Sequence, residues 1–228
     1  MKLIVGLGNP GSKYRGTRHN VGYDVLTCLT RRQPVGPMSV RFQGEVVDFR
    51  SPAGTVLLLS PTTFMNCSGR SVRAAMDFYK IPLQDVLLIC DDLNLPLGRM
   101  RFRARGSAGG QKGLADVIRT LGSEEFARLR VGIGSPPASW DVADFVLSRY
   151  TDKEEPVMRT TMEQAAVAVE DWIARGIEHC MNRYNGAADE GAKKVGKPKS
   201  ADGPKPAGGP KSADGPKPAG GAEPAGEA

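Results

Sequence analysis

Residues 2–11 read Lys2-Leu3-Ile4-Val5-Gly6-Leu7-Gly8-Asn9-Pro10-Gly11, an apolar run that closes in glycines. A short apolar run bounded by glycine marks a buried strand entering a turn. Gly6–Gly11 also fits the GxGxxG pattern of dinucleotide sites. Two details oppose that reading. A dinucleotide unit needs a second strand ending in Asp or Glu about 20 residues on, whereas residues 26–32 read as helical and basic. Pro10 also removes a backbone N–H from the loop that would cradle the pyrophosphate. An Arg in that zone would suit a 2′-phosphate, so a nucleotide-dependent oxidoreductase is kept as a competing reading. The plain alternative is a tight turn that needs glycine dihedrals.

Beyond the loop, strands and helices interleave. Val21, Val25, Cys28 and Leu29 share a helical face, and Ser68–Tyr79 aligns Val72, Ala75, Met76 and Tyr79. Glu45–Arg50 and Thr55–Ser60 flank the turn Ser51-Pro52-Ala53-Gly54, which predicts a hairpin. Val86–Cys90 and Leu129–Ile133 read as buried strands, Arg99–Arg105 as an alternating one, and Leu114–Leu121 as a helix. Arg159–Arg175 reads as an amphipathic helix with Ala165, Val169, Trp172 and Ile173 inward. The expectation is an α/β domain with a mixed sheet flanked by helices.

The 228 residues carry 31 Lys+Arg against 25 Asp+Glu. Composition changes after Gly186: residues 187–228 hold 9 Gly, 7 Pro and 7 Lys with no aromatic residue. Pro198-Lys199-Ser200 and Pro210-Lys211-Ser212 open two copies of a 12-residue repeat. Such a segment cannot bury enough apolar surface to offset its conformational entropy, so a disordered tail is expected. The domain is expected over 1–186. The tail's 7 Lys are nearly balanced by 6 Asp+Glu, so the excess positive charge lies in 1–186. That suits a polyanionic partner, although a modest excess also serves solubility. No apolar run reaches the about 18 residues of a membrane span, and the N-terminus lacks a secretory pattern. Cys28, Cys67, Cys90 and Cys180 are far apart and read as reduced thiols. With only His19 and His179 present, a His-based metal centre is not expected.

Further motifs follow in order: Tyr14, Thr17-Arg18-His19-Asn20-Val21-Gly22, Pro61-Thr62-Thr63-Phe64-Met65-Asn66, Asp91-Asp92-Leu93-Asn94-Leu95-Pro96, Gly109-Gly110-Gln111-Lys112-Gly113 and Arg128-Leu129-Arg130-Val131-Gly132. Together with the first loop they resemble the bacterial peptidyl-tRNA hydrolase family over about residues 1–185. The resemblance implies hydrolysis of the ester joining a peptide to the 3′ end of tRNA. It implies a single α/β domain with a twisted mixed sheet, and no cofactor or metal. It also implies a cytoplasmic monomer that needs no protein partner and does not bind membranes. A non-catalytic RNA-binding relative on the same fold is the alternative.

Ester hydrolysis needs an activated water, a group that orients the activator, and donors for the developing oxyanion. Histidine is the residue type whose ordinary pKa lies near neutrality, and His19 is the one in the motifs. The family pattern puts the orienting carboxylate at Asp91. Asp92 is the rival, but successive strand residues face opposite ways, and it also reads as a solvated turn residue. In the family the position of Asn9 helps recognise the peptide backbone, that of Asn66 sits in the binding site after Phe64, and that of Tyr14 contacts the tRNA end. Asn66 or Ser68 could instead cap the following helix, and Tyr14 could anchor its loop. Where the family often has His-Asn, this chain has Gln111-Lys112. Lys112 cannot accept a hydrogen bond but adds a cation that could meet a phosphate or an oxyanion. Arg99, Arg101, Arg103 and Arg105 fall on one strand face, spanning roughly 20 Å. This is either a charged outer face or a phosphate track. By the resemblance, Arg103 and Arg130 are expected to meet tRNA phosphates. His179 is expected to be structural.

Overall fold

The computed structural model describes residues 1–186. The expectation of a disordered tail at 187–228 lies outside the described residues. The chain runs through β1 (Lys2–Gly6), α1 (Val21–Arg32), β2 (Ser39–Arg41), β3 (Gly44–Ser51), β4 (Gly54–Pro61), α2 (Ser68–Tyr79), β5 (Val86–Asp92), β6 (Met100–Arg103), α3 (Lys112–Leu121), β7 (Ala127–Gly132), α4 (Val142–Leu147) and α5 (Glu155–Tyr184). The strands form one seven-stranded sheet in the order β2-β3-β4-β1-β5-β7-β6. The four central strands are parallel, while β2 and β3 on one flank and β6 on the other run antiparallel to their neighbours. No helix among the described residues is long and apolar enough to cross a membrane.

Period-two alternation along the buried strands sends side chains to two separate cores. Ile4, Val56, Leu58, Leu87, Ile89, Leu129 and Val131 pack on the side of α1 and α5. Leu3, Val5, Leu57, Leu59, Val86, Leu88 and Cys90 pack on the side of α2 and α3. The sheet is thus a middle layer between two helical layers. Because β1, β4, β5 and β7 are parallel, their C-terminal ends open at one edge, where ligands of open α/β sheets bind.

The glycines of the first loop serve packing rather than a nucleotide. A Cβ on Gly6 would be driven into the Gly22 carbonyl, and one on Gly22 would meet the Leu7 backbone and the Ile89 carbonyl. Removing both side chains lets the first turn of α1 rest on β1 and β5. Of the three pattern glycines only Gly11 has a left-handed dihedral, with φ 100°. A need for glycine dihedrals therefore explains Gly11, while close approach explains Gly6. The strand that follows α1 is the three-residue β2, which pairs antiparallel with β3 at the far side of the sheet. Both places beside β1 are taken by β4 and β5, neither of them the strand that follows α1, so the dinucleotide unit is not formed and that reading is set aside.

The hairpin appears as β3 and β4, joined across Ser51 and Gly54. The alternating arginine segment is shorter than expected: Arg99 and Arg105 fall outside β6. Gly98 and Gly106, with φ of 79° and 132°, turn the chain away on either side. The last helix is longer than its amphipathic stretch and is broken at Gly176, whose φ is 80°. The strand β2 and the helix α4 carry too few residues to give a periodic signal, and neither was anticipated.

Candidate functional site

Residues from distant parts of the chain meet at the C-terminal edge of the parallel strands. The end of β1 delivers Asn9, the segment after β4 delivers Phe64–Asn66, and β5 ends in Asp91-Asp92. The tight turn Arg18–Asn20 before α1 brings in His19, and the N-terminus of α3 brings in Gln111 and Lys112. All of these line one cleft of about 630 Å³. Phe64, Leu93, Val142, Val146 and Leu147 give it an apolar wall. The α4 part of that wall was missed in the sequence. Its available signal is Asp141, whose side chain accepts the Ala143 N–H and caps the short helix.

His19 and Asp91 are both buried, and Nδ1 of His19 lies 3.0 Å from Oδ2 of Asp91. This leaves Nε2 as the ring nitrogen for a cleft ligand. Oδ1 of Asp91 accepts from Nε2 of Gln111 at 3.1 Å. Gln111 was not among the expected site residues. It caps α3, where its Oε1 accepts the Leu114 N–H at 2.5 Å. The detectable signal would have been a polar residue just before the apolar periodicity of Leu114–Leu121.

Asn9 is locked by its neighbours. Its backbone exchanges two hydrogen bonds with the Asn20 side chain, at 2.8 and 3.0 Å. Its Oδ1 accepts the Met65 N–H at 2.9 Å, which leaves Nδ2 as the half of the amide for a ligand. Asn66 is exposed in the cleft. The capping alternative fails for both candidates: Cys67 is the N-cap of α2 without a side-chain bond, and Ser68 Oγ donates to the Met65 carbonyl. Phe64 stands 57% exposed at the cleft. Lys112 is exposed at the first residue of α3. Tyr14 does not reach the cleft. It sits half-buried in the turn Ser12–Tyr14, with Lys13 Nζ over its ring at 4.7 Å.

One expectation changes. Asp92 is no solvated turn residue: one oxygen does accept the Asn94 N–H, but the other pairs with buried Arg130 at 3.0 Å. That pair lies on the α2–α3 side of the sheet, while Asp91 turns to His19, as strand alternation requires. Arg130 in turn donates to the Ser107 and Ala108 carbonyls at 3.0 and 2.8 Å. These bonds tie the 106–110 loop to β5, and Arg130 and Asp92 both line the cleft. Arg103 lies half-buried on β6, at the sheet edge and outside the cleft. His179 lies on α5 with its ring 4.0 Å from Asp171, away from the site.

A family model described as peptidyl-tRNA hydrolase matches residues 3–194. The chain is 53% identical over 188 residues to the peptidyl-tRNA hydrolase of Rhodopirellula baltica, covering 82% of this chain and 99% of that protein. It is 46% identical over 185 residues to that of Chlorobium phaeobacteroides, covering 81% and 98%. A crystal structure of the enzyme from Acinetobacter baumannii superposes with a TM-score of 0.75 at 34% identity, covering 81% of this chain and 94% of that one.

Proposed function

Because the chain belongs to the peptidyl-tRNA hydrolase family, its reaction is hydrolysis of the ester between peptide and tRNA, and we propose that His19 activates the attacking water while Asp91 orients His19. The observation that carries this reading is the buried 3.0 Å contact between His19 Nδ1 and Asp91 Oδ2 at the cleft. An ionised Asp91 holds the ring as its Nδ1–H tautomer, so Nε2 carries the lone pair. Nε2 takes a proton from water as the oxygen adds to the ester carbonyl. The tetrahedral intermediate then collapses, and the 3′-oxygen of tRNA leaves with the proton from His19. The free peptide keeps its carboxylate.

The remaining cleft groups bind and orient. Asn9 Nδ2 donates to the peptide carbonyls, fixed for that task by the Met65 N–H on its other atom. Phe64 and the α4 wall cover apolar parts of the peptide, and Asn66 and Lys112 take polar groups at the mouth. Arg103 meets the tRNA phosphates, and Tyr14 offers a ring to the tRNA end outside the cleft. All groups of the reaction come from one chain, so a monomer suffices. The substrate arises in translation, which places the activity in the cytoplasm.

Release of peptide from an N-blocked aminoacyl-tRNA tests the assignment. His19→Ala is expected to lower turnover at least ~100-fold while tRNA binding persists, the scale of general base catalysis. Asp91→Asn is expected to slow turnover by removing the charge that supports the imidazolium. Near-native rates in both variants would place the base elsewhere.

A further inference from the structure

We propose that Gln111 is a positioning residue for the His19–Asp91 pair, acting through the Asp91 carboxylate to hold His19 in the tautomer the reaction needs. This rests on the assignment of His19 as the base and adds the device that selects its proton position. Both oxygens of Asp91 are engaged: Oδ2 faces His19 Nδ1 at 3.0 Å, and Oδ1 accepts from Gln111 Nε2 at 3.1 Å. The direction of the Gln111 amide is not free. Its Oε1 accepts the Leu114 N–H, so the amide nitrogen must be the end that meets Asp91. A proton on Oδ1 of Asp91 would confront that donor. The donor on Oδ1 favours the carboxylate form of Asp91, and against that form the hydrogen of the second contact comes from Nδ1 of His19. The lone pair is then left on Nε2, toward the cleft.

The fixture extends beyond this contact. Gln111 is buried, and Nε2 also lies 3.2 Å from the Met65 sulfur, while the Met65 N–H donates to Asn9 Oδ1. Asn9, Met65, Gln111, Asp91 and His19 therefore form one continuous chain of polar contacts across the cleft. A Cβ on Gly113 would strike the Met65 sulfur, so the turn that carries Gln111 is packed against this chain.

Gln111 has two separable tasks, capping α3 and holding Asp91. Asparagine is a strong N-cap, but its side chain is one methylene shorter and cannot hold both partners. In the full chain, Gln111→Asn is expected to leave the thermal midpoint within about 2 °C and KM within about twofold, while kcat falls ~10-fold or more. Nitrogen-15 NMR of the His19 ring, at a pH where it is neutral, should find the Nδ1–H tautomer in the wild type and a mixture in the variant. In an Asp91→Asn background the same change should add less than about twofold, because its target is gone. Wild-type kcat with an unchanged tautomer in Gln111→Asn would overturn the proposal. So would a loss that multiplies fully with that of Asp91→Asn. Should Gln111→Asn fail to fold, the wild-type spectrum still decides, since a predominant Nε2–H tautomer refutes the role. Full activity of His19→Ala would instead sink the base assignment, and the tautomer measurement on the resting protein would judge Gln111 separately.

Discussion

Arg18 sets the position of His19. Its guanidinium donates to both oxygens of Glu154 at 3.1 and 2.7 Å and to the Ile133 carbonyl at 3.2 Å. It lies over the rings of Phe145 and Tyr150, at 4.4 and 4.9 Å. The residue before His19 is thus clamped to α4 and to the start of α5. Hydrogen bonds from Arg18, and secondarily from Thr151, hold the Glu154 carboxyl down at about 2 from an ordinary 4.5. A carboxyl depressed in the folded state contributes stability above its unfolded value and loses it as pH falls toward the folded one. Stability measured by denaturant should therefore decline between pH 4.5 and 2, with a shallower slope in Glu154→Gln. Equal slopes would mean that the pair is not the source. At this scale the meeting of His19, Asp91 and Asn9 in one cleft was legible, because residue type and motif together single them out. Gln111 and the Arg18 clamp were not, because a neutral amide and a lone arginine take their meaning from partners up to 136 positions away.

The β6–β7 pair illustrates what an element can reveal and conceal. In its antiparallel register Arg101 opposes Arg130 and Arg103 opposes Arg128, so four arginines share one face. Opposed like charges cost stability unless each is offset. Asp92 offsets Arg130, and the carbonyls of Gly106, Glu124 and Phe126 receive Arg128. Burial, and then the nearby Arg130, lower the pKa of Arg128 from its ordinary value. Strict alternation made β6 readable as a strand, but not which arginines of the pair turn inward. That follows from a register set by a strand elsewhere in the chain. Arg130→Ala would leave Asp92 buried and unpaired, an arrangement costing about 3–5 kcal/mol. It should lower the melting temperature and reduce hydrolysis of tRNA-linked and short ester substrates alike. Arg103→Ala should spare the short substrate, weaken tRNA binding and reduce its logarithmic salt slope by about 1. A purely tRNA-dependent defect in Arg130→Ala would mark it as a phosphate contact instead.

At the scale of the molecule, the fold closes where the end of α5 meets the sheet. Buried Asn185 accepts the Phe102 N–H at 2.9 Å and donates to the Phe102 carbonyl at 3.0 Å, fastening the end of α5 to β6. We propose a domain boundary just after it, at Gly186. A chain ending at 186 should melt with the full protein and keep its rate on a short substrate. One ending at 184 loses two buried hydrogen bonds of about 1 kcal/mol each and should be measurably less stable. Equal stability of the two would place the boundary earlier. The amino-acid sequence by itself determined the layered α/β class, the hairpin and the family, and it named His19 and Asp91 as candidates. Periodicity and residue chemistry are local properties that survive without a fold. Only the tertiary structure decided that Asp91 rather than Asp92 faces His19, that Arg130 pairs with Asp92, and that Gln111 reaches Asp91. Each depends on which strand lies beside which and in what register, and those pairings join segments that no short-range pattern relates.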